Sequence, residues 1–202
     1  MAGRSRYEVS AKDAGLVNGL LKNKLGINDQ DELDDAESLL LADTNAYFFE
    51  KLEKEDLTFD LPFLFDIHRY FLEPLYTWAG KLRRVNISKG ETLFAPVEFL
   101  EDSLELFSRE LMERIPGSQD SKKVLAEKLA FVHNELNVIH PFREGNGRVV
   151  RLFLDLMIAR VGYHPVDWGK TPQQTYIEAC QAGFVQDHRP MEKIIYRGLK
   201  KR

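Results

Sequence analysis

The residue types best suited to chemistry fall in one stretch, His140-Pro141-Phe142-Arg143-Glu144-Gly145-Asn146-Gly147-Arg148, with Arg151 three positions further on. It holds an imidazole, a carboxylate, two glycines and several arginines between two apolar helical patterns. A packed core has no use for this mixture. A site that holds a polyphosphate and deprotonates a hydroxyl needs all of it. The segment Glu144 to Arg148 directly precedes a predicted helix, whose first turn offers unpaired backbone N–H groups and the positive end of the macrodipole. The two glycines let the backbone approach an oxyanion and adopt positive φ. Arg148 and Arg151 lie one turn apart on the same face. Together these features make a cradle for the phosphates of a nucleotide.

Glu144 is the awkward member, because a carboxylate repels phosphate unless a cation bridges the two. Mg²⁺ held by one carboxylate, phosphate oxygens and waters is the usual solution. His140, at the other edge of the loop, is neutral near pH 7 and can accept the proton of an attacking hydroxyl. Phe142 is apolar within a polar loop and is expected to anchor it in the core. Each residue also has a blander reading. A Gly-x-Gly before a helix is usually only a turn, and this one is neither a dinucleotide fingerprint nor a P-loop. His140 alone reads as a helix-end histidine, and Arg148 with Arg151 as a solvated face. His133 and His140, seven apart, suggest a metal site with Glu135 or His164, but the spacing is not that of a zinc protease. His68 and His188 carry no partner pattern and read as structural or solvated. Cys180 reads as buried filler.

Helices must position this loop. Apolar periodicity predicts helices over Asp31 to Lys54, Leu61 to Leu72, Val97 to Ile115 and from Asp120 or Ser121 to Ile139. Three more are expected over Arg148 to Arg160, Pro172 to Phe184 and Pro190 to Leu199. The helix before the loop carries Leu125, Leu129, Val132, Leu136 and Ile139 as a stripe, the mark of a central helix. Pro141 ends it, since the residue before proline resists the helical region. Between Leu82 and Ala95, weak alternation around Ser88-Lys89-Gly90-Glu91 predicts a small β-hairpin, which needs a surface to lie on. Residues 1–30 read as a polar arm with a short helical piece near Leu16 to Lys24, and 31–202 as the main domain. The fold class is all-α with one short hairpin.

Composition narrows the function classes. With 202 residues and 44% hydrophobic content, the chain can bury a real core. A net charge of -4 argues against a general nucleic-acid binder, and none is expected as a direct partner. The single Cys180 suits a reducing compartment. Met1 to Ser10 carries no apolar core like a signal peptide's, and no run of about 18 apolar residues exists for a membrane span. A cytoplasmic protein is the default expectation, with export as an effector left open.

The string His140-x-Phe142-x-Glu144-Gly145-Asn146-Gly147-Arg148-x-x-Arg151 resembles, position for position, the signature of the Fic (filamentation-induced-by-cAMP) family. Tyr76-x-Trp78-Ala79-Gly80-Lys81, Asn86-Ile87-Ser88-Lys89-Gly90 and Phe94-Ala95 resemble the family's flap region, so the likeness spans about Asp31 to Gly183. The resemblance implies an all-α core with a β-hairpin flap over the active site. It also implies transfer of AMP from ATP to a Tyr, Thr or Ser hydroxyl of a target protein, with release of pyrophosphate. His140 would be the general base, and Glu144 would hold Mg²⁺ against the α- and β-phosphates. Gly145, Asn146 and Gly147 would form the anion-binding turn, with Asn146 also contacting phosphate. Arg148 would hold the β-phosphate and Arg151 the γ-phosphate. Lys89, Gly90 and Asn137 would lie near the nucleotide, and Tyr176 and Glu178 would border the adenine. Residues around Ser88 to Phe94 would register the target peptide by strand addition.

Many such proteins carry an inhibitory helix of the form Ser/Thr-x-x-x-Glu-Gly/Asn, whose glutamate pairs with the second motif arginine. No Ser or Thr of this chain is followed by Glu four positions later. The resemblance therefore points to the toxin–antitoxin branch, in which a separate small partner supplies that glutamate. A protein never inhibited this way is the alternative. Self-modification, transfer of phosphate, UMP or phosphocholine, and a non-catalytic nucleotide-binding module are the other readings. The intact His140 and Glu144 argue against the last.

Overall fold

The computed structural model describes residues 7–9, 15–17 and 19–202. Two helices begin the main body, α1 (Gln30–Lys54) and α2 (Leu61–Leu72). Each starts on an aspartate that accepts a backbone N–H, Asp29 from Glu32 and Asp60 from Phe63. Asp31 and Glu32 in the first turn of α1 and Lys51 and Lys54 in its last complement the macrodipole. The buried face of α1 is Leu33, Glu37, Thr44 and Phe48, so a carboxylate interrupts an otherwise inward stripe.

Then come α3 (Leu100–Arg114), α4 (Lys122–Ile139), α5 (Asn146–Arg160), α6 (Gln173–Gly183) and α7 (Arg189–Gly198). Ser121 caps α4 by accepting from Val124 N. The stripe predicted for α4 is buried throughout, and Ala126, Ala130, His133 and Asn134 are buried beside it. This helix packs against α3, α5, α6 and α7 and is the central one. α5 is buried on nearly every side, as its apolar run from Val149 to Ala159 requires. α5 starts at Asn146, two residues earlier than the periodicity suggested, so Gly147 lies inside its first turn.

The hairpin exists as β4 (Ile87–Lys89) and β5 (Thr92–Leu93) around Gly90, whose φ is +57°. Its base is tied to the end of α4, because Ala95 N donates to Val138 O at 3.2 Å. The strand β1 (Glu8–Val9) adds to the other side of β4, with Glu8 opposite Ser88 and Val9 opposite Ile87, making a three-stranded sheet ordered β1-β4-β5.

The helical piece expected near Leu16 to Lys24 is instead a hairpin, β2 (Leu16–Val17) and β3 (Leu20–Leu21). Gly19 turns it at φ +84°, and burial of Leu20 and Leu21 outweighs helix propensity in so short a segment. The rest of the arm, residues 1–6, 10–14 and 18, lies outside the described residues, and so does most of the stretch tested for a signal peptide. Near the C-terminus β6 (Tyr163–His164) pairs with β7 (Lys200–Lys201), a small sheet that periodicity did not indicate. Among the described residues no helix is long and apolar enough to cross a membrane.

Candidate active site

The loop joining α4 to α5 is held from both sides. His140 ends α4 in the left-handed region, φ 50° and ψ 60°, while its N–H still donates to Leu136 O at 2.9 Å. That backbone is unusual for a non-glycine residue and costs on the order of 1–2 kcal/mol. Arg83 holds it there. Its Nε donates to His140 O at 2.8 Å and its Nη2 to Ile139 O at 3.3 Å. The same guanidinium donates to Val85 O and Ala95 O at the root of the flap. One buried arginine thus caps the last carbonyls of α4 and fastens the hairpin over them. Its burial lowers its pKa to about 10.

The His140 ring is fixed as firmly as its backbone. Phe94 of the flap stacks on it with centroids 3.7 Å apart. Nδ1 lies 3.0 Å from Asn137 O. A carbonyl only accepts, so Nδ1 carries the proton and Nε2 presents a lone pair. Burial depresses the imidazole pKa to about 3, Arg83 and Lys89 add repulsion, and the bond to Asn137 opposes them. The imidazole is neutral in the folded protein. Its Nε2 lies 2.9 Å from the Tyr7 hydroxyl.

Beyond Pro141 the chain is pinned by Phe142 and Asn146. Phe142 is fully buried and stacks on His68 at 3.7 Å. His68 accepts from Gly80 N through Nδ1 at 2.8 Å, so its Nε2 donates to Glu144 O at 3.0 Å. Asn146 accepts from Phe142 N and donates to Phe142 O, at 2.9 and 2.8 Å. Both ends of the Asn146 amide thus staple the loop, and Nδ2 keeps one further N–H. Gly145 is the glycine with positive φ, +82°, and a Cβ there would lie 2.9 Å from Leu72 Cδ1. Gly147 is helical, and a Cβ on it would lie 3.2 Å from Arg151 Nη1. Positive φ was expected at both glycines, but only the one outside the helix needs it.

The acid and the two arginines divide between two sides. Glu144 is buried and accepts from Gly145 N at 2.8 Å and from Arg148 Nη2 at 3.3 Å. Arg148 Nη1 also donates to Glu37 Oε2 of α1 at 2.6 Å. The other oxygen of Glu37 accepts from the Tyr76 hydroxyl at 2.6 Å. Arg151 instead reaches Tyr176, its Nη1 3.4 Å from the hydroxyl, and no carboxylate pairs with it among the described ion pairs. The Tyr176 hydroxyl also meets His133 Nε2 at 2.7 Å.

A cavity lined by Asn137, His140, Asn146, Gly147 and Tyr176 therefore gathers five of the residues expected at the site. Lys89 stands exposed on the flap, close enough to His140 to disfavour its protonation. Gly90 forms the flap turn. Glu178 does not line this cavity: residues two apart on a helix do not share a face, and it is exposed and accepts from Gln174 Nε2 one turn earlier. His133 is buried against Tyr176 and Asn134, and among the described residues no group of three His, Cys, Asp or Glu gathers as metal ligands. Four residues escaped the sequence reading: Tyr7, Glu37, His68 as a loop support, and Arg83. Glu37 left a signal as an acid in the buried stripe of α1. Arg83, beside Arg84 in a weakly alternating stretch, left none.

A fixed neutral base opening onto a helix N-terminus, under a strand flap on a helical core, defines a group-transfer site for a phosphorylated substrate. Residues 58–158 match the Fic/DOC family. The probable protein adenylyltransferase y4lH of Sinorhizobium fredii is 34% identical over 88% of this chain and 90% of its own length. The probable protein adenylyltransferase Fic of Escherichia coli is 31% identical over 91% of this chain and 90% of its own. The crystal structure of the BepC effector of Bartonella tribocorum, with bound AMPPNP, superposes with TM-score 0.75 at 25% identity, covering 90% of this chain and 93% of that one. The chain belongs to the Fic/DOC family.

Proposed function

We propose that this chain is a protein adenylyltransferase that moves AMP from ATP to a hydroxyl side chain of a protein. The observation that carries the reading is His140, neutral, with its tautomer fixed by Asn137 O, facing the same cavity as Asn146 and Gly147 at the start of α5. The acceptor oxygen attacks the α-phosphorus, its proton passes to Nε2, and the bond to the bridging oxygen breaks to release pyrophosphate. Catalysis of this kind rests on positioning and on charge placed in advance. The backbone N–H groups at the N-terminus of α5 and the Arg148 and Arg151 guanidinia supply that charge.

Glu144 suits Mg²⁺. It is a hard oxygen donor, buried just before the N-terminus of α5, and would hold Mg²⁺ together with phosphate oxygens and waters. Mg²⁺, when bound, would neutralise phosphate charge; Gly145 N and Arg148 orient the carboxylate for it. Target docking falls to the hairpin from Ser88 to Phe94. Arg151, which reaches the Tyr176 hydroxyl and stands in no described ion pair, is the group that a glutamate from a separate inhibitory protein would pair with.

The test uses Mg²⁺ with ATP labelled at the α- or the γ-phosphate, incubated with the protein and a cell lysate. Protein label from the α-position alone is the expected result. Label from the γ-position alone means phosphotransfer, and label from neither means a binding module.

A further inference from the structure

The flap edge expected to receive a target peptide is filled by the chain's own β1. Glu8 and Val9 pair antiparallel with Ser88 and Ile87, and β4 has β5 on its other side. One residue before this pairing, Tyr7 turns into the site. It is 9% exposed, and its ring meets the edges of Phe94 and His140 at centroid distances of 6.0 and 5.2 Å. Its hydroxyl lies 2.9 Å from His140 Nε2. Because Nδ1 donates to Asn137 O, Nε2 has no proton to give, and the Tyr7 O–H must be the donor. This is the contact a general base makes with the hydroxyl it is about to deprotonate. The cavity on which His140 opens is also lined by Asn146 and Gly147 at the start of α5. An acceptor oxygen, the base and the anion cradle thus converge within one chain. Strand pairing to an edge sets register through the backbone, so the side chain next to the pairing is aimed without any sequence-specific pocket.

We infer that β1 is an intramolecular substrate strand and that Tyr7 is the hydroxyl to which this enzyme transfers AMP in cis. The inference rests on the adenylyl-transfer reading and adds the acceptor to it. Tyr7 Oη attacks the α-phosphorus of ATP, His140 Nε2 takes the phenolic proton, and the bond from the α-phosphorus to its bridging oxygen breaks. The electron pair leaves with pyrophosphate, and the tyrosine keeps AMP as a phosphodiester.

The experiment incubates the full chain with Mg²⁺ and α-labelled ATP, alone and with lysate, and maps the label by peptide mass spectrometry. The expected result is one AMP on the peptide containing Tyr7, formed at a rate per molecule that does not change on tenfold dilution. Tyr7→Phe should lose that label. Folding of the variant is checked by its thermal unfolding. If lysate proteins acquire AMP while Tyr7 in the parent never does, the inference is overturned and the adenylyl-transfer reading stands. If the per-molecule rate falls in proportion to dilution, transfer is between molecules and the cis assignment is overturned. If nothing acquires AMP in either arm, both readings fall together.

Discussion

The loop from His140 to Arg151 and the flap above it solve the same positioning problem in opposite ways. The loop is buried and over-determined: Phe142 lies between His68 and the core, Asn146 closes on Phe142, and Gly145 sits where a methyl group would strike Leu72. The flap is two short strands, largely exposed, held at its root by Arg83 and by Ala95 N. Short strands with exposed backbone open at little cost, whereas packed loops do not.

The sharpest break of this contrast is chemical. His140→Asn keeps a residue tolerant of the left-handed backbone but removes the base. Transfer should fall by about 10²–10⁴-fold, with ATP affinity by calorimetry little changed. Equal transfer by the variant would remove His140 from the mechanism.

Gly145→Ala and Gly90→Ala compare the two regions directly. Both positions have positive φ, at +82° and +57°, but only Gly145 has a neighbour within 3.0 Å of the added methyl. The loop variant should lose about 2–4 kcal/mol in denaturant unfolding, combining strain with overpacking. The flap variant should lose about 1 kcal/mol from backbone strain alone. Equal losses would mean that the loop yields as readily as the flap.

Arg83→Met tests the link between the regions. It leaves the carbonyls of Ile139, His140, Val85 and Ala95 without their charged donor. A stability loss of about 1–3 kcal/mol is expected, together with faster amide exchange in β4 and β5. Unchanged exchange there would show that Ala95 N suffices.

A last test is acid sensitivity, read per pH unit. His68, His133 and His140 are buried, and desolvation is the main reason their pKa values fall to about 4, 4 and 3 from 6.5. Between those values the unfolded chain binds more protons than the folded one. Stability is therefore full above 6.5 and declines as pH falls towards 4, by about 1.4 kcal/mol per unit for each histidine. His68→Gln should make that decline shallower in urea titrations across pH. An unchanged slope would mean that His68 is not carried neutral in the fold.

The sequence by itself determined much of this protein. Fixed-period burial wrote α2 and the stripes of α3 and α4 into the chain, and the proline after His140 ended α4 where expected. The spacing from His140 to Arg151 pointed to an anion site, because the glycines, the acid and the arginines sit in one continuous segment before a helix. Tertiary structure decided what is discontinuous. Glu37 meets Arg148 across 111 positions, Arg83 reaches His140 across 57, and Tyr7 reaches it across 133. No local pattern encodes such pairings. The two-residue strands β1 and β2 are too short to show a period, and the arm folds as strands because the flap edge and the core offer it partners. The candidate site residues were legible because they are adjacent in the chain. Those that hold the His140 ring, pair with Arg148 and bring a hydroxyl to Nε2 were settled only when folding brought distant segments together.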